Sequence, residues 1–98
     1  MFKSIPETGM DVNEYIAYSL RYIDAIDLDR GLAITSTNGR TKYAPKWTIM
    51  KVIGNRLDYE SEGRVKFRAW TLNEAIELAN ADKRLINRIN KAFGGSNE

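Results

Sequence analysis

The spacing of apolar residues changes period twice along this chain, and that double change constrains the fold more than any single motif. From Asp11, the residues Val12, Ile16, Leu20, Ile23 and Ile26 recur three and four apart. Such spacing predicts a helix over 11–28, with Asp11 and Glu14 in a capping arrangement and Gly31 as its C-terminal cap. Beyond Gly31 the pattern becomes strand-like. Residues 32–37 lead into Asn38-Gly39, a dipeptide that tolerates positive φ at both positions, so a hairpin returning over 40–43 is predicted. Pro45 has no N–H for a ladder and marks a bulge or bend. Strands follow over 47–53, 56–60 and 64–70, joined by Gly54-Asn55 and by a three-residue loop, Ser61-Glu62-Gly63. Thr71-Leu-Asn-Glu74 is then a capping box opening a helix whose Leu72, Ala75, Ile76 and Ala79 face the sheet. Asn80-Ala-Asp82 stops that helix and caps another carrying Leu85, Ile86, Ile89 and Phe93. The expected class is α+β in two layers: an N-terminal helix, an antiparallel β-meander of three to four strands, and one or two C-terminal helices.

Ninety-eight residues, 43% of them apolar, suit one domain over 1–98, with 1–10 as an N-terminal arm and 94–98 as a flexible tail. The chain has no Cys and no His, which excludes disulfides, thiolate nucleophiles, imidazole bases and zinc-finger or His-triad metal sites. The N-terminal residues lack the apolar run of a signal peptide, and no stretch approaches the ~18 apolar residues of a membrane span. A cytoplasmic protein with no membrane partner is expected. The net charge of +2 is unevenly spread. Residues 1–39 hold three bases and six acids, a balance of −3, whereas residues 40–68 hold eight bases and three acids, a balance of +5.

The three-residue loop fixes an expected register. It sets Tyr59 opposite Val65 and Leu57 opposite Phe67, with Glu60 facing Arg64 and Asp58 facing Lys66; a two-residue loop would mix the faces. Carried across Gly54-Asn55, this register places Val52, Leu57, Met50 and Tyr59 on an inner face. Trp47, Ile49, Lys51 and Ile53 then point outward with Arg56, Arg64, Lys66 and Arg68. Bases interleaved with an aromatic can hold phosphates while stacking on rings, so Trp47, Lys51, Arg56, Arg64, Lys66 and Arg68 form the candidate partner-binding surface. Alternatively, the first helix lies across this face. Tyr15, Tyr18 and Tyr22 run beside the aliphatic stripe of that helix and are a secondary candidate, since amphipathic aromatics favour interfaces.

No constellation points to catalysis. Asp27-x-Asp29 with Gly31 departs from a calcium loop, because the Gly is one position early and Asn38 stands at the twelfth position. Asp58, Glu60 and Glu62 alternate as magnesium ligands could, but the expected register spends two of them on Lys66 and Arg64, so cross-strand ion pairing is the better account. No GxxxxGK or GxSxG occurs. The expectation is a protein with no catalytic residue, no metal and no cofactor.

Two family resemblances bear on function. The stretch Trp47, Arg56, Tyr59, Phe67 and Thr71-Leu-x-Glu-Ala75 is similar in shape to the three-strand-plus-helix DNA-binding modules of phage integrases and plant AP2 domains, over about 35 residues. Those modules read DNA with basic and aromatic side chains of the sheet, which implies nucleic-acid binding through Trp47, Lys51, Arg56, Arg64, Lys66 and Arg68. The long N-terminal helix departs from that pattern. The segment Val65-x-Phe-x-Ala-x-Thr71-Leu-x-Glu-Ala75-x-x-x-Ala79 resembles small phage-encoded accessory proteins, including anti-CRISPR inhibitors, over 15 residues. This second resemblance implies a non-catalytic interaction protein, a phage or mobile-element factor that binds and blocks or adapts a host macromolecular machine. Its partner would be a host protein or nucleoprotein complex, with nucleic acid as the alternative; a homodimer is compatible with the composition.

Overall fold

The computed structural model describes residues 1–9, 23–36, 42–54 and 56–94. The elements are β1 (Lys3–Ser4), α1 (Ile5–Thr8), β2 (Ile23–Asp27), β3 (Leu32–Ser36), β4 (Lys46–Ile53), β5 (Arg56–Asp58), a 3-10 turn (Tyr59–Ser61), β6 (Val65–Arg68), α2 (Leu72–Ala81) and α3 (Lys83–Phe93). The class is α+β. Among the described residues the strands form one antiparallel sheet of six, ordered β1-β2-β3-β4-β5, with β6 also paired to β4. No helix among them is long and apolar enough to cross a membrane.

The helix predicted over 11–28 does not extend through its last turns, because residues 23–27 are strand β2. The physical reason is a β-bulge. The β2/β3 register shifts between Ile23 and Ala25, so Ile23 and Ile26 fall on one face of the sheet despite their three-residue spacing. A bulged strand therefore imitates the helical period. The rest of that prediction, with Tyr15, Tyr18 and Tyr22, lies outside the described residues, as do Asn38-Gly39 and the tail beyond Gly94. No strand includes Lys42 or Tyr43; β3 pairs directly with β4, Ser36 opposite Trp47 and Leu32 opposite Lys51.

Gly31 does adopt the left-handed conformation, with φ 66°, but it closes the β2/β3 hairpin rather than a helix. Its N–H donates to the Asp27 carbonyl at 2.9 Å, the same i to i+4 closure that ends a helix. Asp27 holds this loop together. Its side chain is fully buried; Oδ1 accepts from the N–H groups of Asp29 and Arg30, and Oδ2 accepts from the Met1 ammonium at 2.9 Å and Arg30 Nε at 2.6 Å. Burial alone would raise the carboxyl's pKa. The hydrogen bond from the Met1 ammonium and the hydrogen bonds and charge of Arg30 outweigh that, and Asp27 is held below its ordinary 3.8.

Residues 1–9, expected as an arm, enter the structure. Phe2 is buried in the main core, and the Asn80 side chain on α2 takes both backbone groups of Phe2, at 2.8 and 2.9 Å. That core lies between the sheet and α2/α3. It joins Ala25, Ile34, Trp47, Ile49 and Val65 to Ala75, Ala79, Leu85 and Ile89. Both helices start as their sequences dictate: Thr71 Oγ1 accepts from Glu74 N–H at 3.1 Å, and Asp82 Oδ1 from Leu85 N–H at 2.9 Å. The capping box is a variant, since Glu74 reaches back to the Trp70 N–H instead of that of Thr71.

The largest correction concerns β5 and β6. They are not a hairpin: both pair antiparallel with the same edge of β4, one after the other. Between Lys51↔Asp58 and Ile49↔Val65 only Met50 intervenes on β4, while residues 59–64 intervene on the other side. Residues 59–64 are thus an excursion from a long, interrupted strand. Ser61, fully buried, makes it feasible by accepting the Lys51 N–H on Oγ at 2.9 Å and donating to the Asp58 carbonyl at 2.6 Å. A side chain replaces the ladder bond that the excursion removes. Gly63, with φ 88°, turns the chain back.

Candidate functional site: a basic edge around strand β6

The excursion decides which side chains share a face. Val52 does sit opposite Leu57, but Phe67 sits opposite Trp47, and Val65 opposite Ile49, on the face covered by α2 and α3. Tyr59 leaves the sheet in the 3-10 turn, and Asp58 stands opposite Lys51 rather than Lys66.

The five bases and one aromatic expected on one outer face are therefore divided. Trp47 is buried in the core, its Nε1 donating to the Ala69 carbonyl at 3.0 Å. Lys51 and Arg56 are exposed on the helix-covered face of the sheet, opposite Asp58 and Ile53. Arg64 is exposed in the loop before β6. Only Lys66 and Arg68 remain together, on the opposite face, where Lys46 stands across from Arg68 and Thr48 across from Lys66. Arg68 Nη1 donates to the Ala44 carbonyl at 2.7 Å, and its guanidinium lies 5.9 Å from the centre of the Tyr43 ring.

β6 has no strand partner on its other side among the described residues. Ala69 N–H donates to the Pro45 carbonyl and the Val65 carbonyl accepts from Thr48 Oγ1, so the backbone groups of the odd-numbered residues face β4. Those of Lys66 and Arg68 face outward. Into that edge reaches Arg88 of α3, whose Nη2 donates to the Lys66 carbonyl at 2.8 Å.

Arg88 belongs to a second group of bases that the sequence reading missed. α3 carries Lys83, Arg84, Arg88 and Lys91, all exposed, and no acid. Arg84, Arg88 and Lys91 stand at i, i+4 and i+7, on one side of the helix. Their stripe was legible, but the neutral total of residues 69–98 concealed it, because the balancing acids lie on α2, at its junction with α3 and in the tail. Over residues 64–94, seven bases (Arg64, Lys66, Arg68, Lys83, Arg84, Arg88, Lys91) face three acids (Glu74, Glu77, Asp82), a balance of +4. Two of those acids are engaged at helix starts.

Between β6 and the two helices lies a groove of about 560 Å³. Phe67, Leu78 and Leu85 form its apolar lining, and Arg84, Asn87, Arg88 and Asp82 its polar one. Among the described residues, no group of three or more acids is close enough to hold a metal ion. No protein-family model, curated protein or solved structure matches this chain.

Proposed function

We propose that the chain is a non-catalytic interaction protein that engages an anionic surface of a larger partner through the bases flanking β6. The observation that carries this reading is α3. A helix macrodipole disfavours cations in the first turn, yet α3 begins with Lys83-Arg84 and carries four bases against the single carboxylate of its N-cap, Asp82, whose Oδ1 is engaged by the Leu85 N–H. A local rule broken without a gain in the fold points to function. The resemblance to small phage accessory proteins of the anti-CRISPR kind supplies a matching role: a factor that occupies the nucleic-acid-facing surface of a host machine needs such a display of cations.

Direct nucleic-acid binding is the second reading, favoured by Tyr43, 62% exposed with the Arg68 guanidinium 5.9 Å from its ring, and by Trp70, 65% exposed two residues beyond Arg68 in the chain. Exposed rings next to guanidinium groups suit base stacking. Capture of the partner from the native host, with and without nuclease, separates the readings. A protein partner survives nuclease and resists salt, whereas a phosphate-driven complex loses affinity steeply as salt rises. The variants Lys66→Glu/Arg68→Glu and Arg84→Glu/Arg88→Glu should each lose the partner while remaining folded. Retention of the partner by both folded variants would overturn the proposed surface.

A further inference from the structure

The groove beside β6 has a lining and an edge that together specify an occupant. We infer that it receives an extended acidic segment of the partner protein, which pairs with the edge of β6 that no strand takes among the described residues and drops an apolar side chain onto Phe67, Leu78 and Leu85. This inference rests on the protein-partner reading above and deepens it.

Three features converge. The first is the edge itself: Lys66 and Arg68 present their backbone N–H groups away from β4, a template for main-chain pairing. The second is the lining, two leucines and a phenylalanine with room for a side chain in about 560 Å³. The third is charge complementarity. Arg84 and Arg88 line the groove, Lys66 and Arg68 flank the strand, and guanidinium forks match carboxylates in two-point contacts. The one acid lining the groove, Asp82, has Oδ1 engaged by the Leu85 N–H. In an extended segment alternate side chains point to opposite sides, so acidic and apolar residues in alternation would meet the bases and the groove in turn. Arg88, now on the Lys66 carbonyl, is the group such a segment displaces, and its guanidinium is then released to a carboxylate.

The test selects a random peptide library displayed on phage against the intact protein. Enriched sequences should alternate acidic with apolar residues. A synthetic peptide of the enriched sequence should shift the Leu78 and Leu85 methyl resonances of the unmodified protein, and it should bind about tenfold more weakly to Arg84→Glu/Arg88→Glu. Methylation of alternate backbone amides of the peptide should weaken it by a similar factor, an effect that bulk charge attraction does not produce. The inference falls if nothing is enriched, if the enriched peptides lack acids, or if those methyls do not move. It also falls if an oligothymidylate or a second copy of this chain takes the groove instead. Loss of the natural partner in the charge-reversed variants without any such peptide would remove the segment and leave the interaction surface standing. Retention of the partner by those variants would remove the surface itself.

Discussion

Two regions of this molecule gather charge, and they do so in opposite ways. Around Asp27 a single carboxylate is wholly buried, with both oxygens taken by two backbone N–H groups, an ammonium and a guanidinium. Around β6 seven bases stand exposed or in an edge loop, and the contacts described for them are mostly to backbone carbonyls. A buried charge that loses its partners is costly, whereas an exposed one contributes little to folding whether paired or not. The Asp27 cluster therefore belongs to stability. The bases around β6 are free to be used by a partner, because the fold depends on them so little.

The strongest way to break that contrast is at Asp27. Asp27→Ala leaves Arg30 and the Met1 ammonium without their acceptor and opens the hairpin loop, and should cost about 3 kcal/mol in denaturant unfolding. Partner affinity of the folded fraction should be unchanged; a parallel loss of affinity would mean the two regions are coupled. The same contact sets an acid limit. Because the folded pKa of Asp27 lies below its ordinary 3.8, its stabilisation is complete above that value and is lost as pH falls through the folded one. Asp27→Asn should accordingly flatten the pH dependence of stability below about pH 4, as followed by thermal melts across that range.

Ser61→Ala comes next. It orphans the Lys51 N–H at the excursion and should destabilise by about 1–3 kcal/mol, and an unchanged midpoint would discard the account of how β5 gives way to β6. Thr71→Ala should cost about 1 kcal/mol through loss of the α2 cap, read from the same unfolding curves. The smallest expected effect on folding sharpens the comparison most. Arg84→Glu replaces a cation by an anion in the first turn of α3, where the macrodipole favours negative charge, and should leave stability unchanged or raise it by about 0.3–1 kcal/mol while partner binding weakens. A variant that destabilises and still binds fully would reverse the roles assigned to the two regions.

Much of this architecture was legible because it depends on short-range chemistry. The caps at Thr71 and Asp82, the left-handed positions of Gly31 and Gly63, the strand through residues 47–53 and the α+β class all follow from residues a few positions apart. What the sequence left undecided was parity. Within a strand, alternation says which residues share a face, but across a connection that answer flips with the number of residues outside the ladder. A hairpin at residues 61–63 and an excursion over 59–64 are written with the same turn residues. The choice between them was made by contacts far apart in the chain: β6 gains Trp47 and Ile49 as neighbours under α2 and α3, and the Ser61 hydroxyl supplies the hydrogen bond that Lys51 would otherwise lack. The bulge in β2 hid its strand for a similar reason, since one extra residue turns a period of two into an apparent period of three. Local sequence set where the chain turns and caps; only the assembled sheet, by pairing the Lys51 N–H with Ser61 and burying Val65 beside Trp47 and Ile49, decided which bases came to stand together.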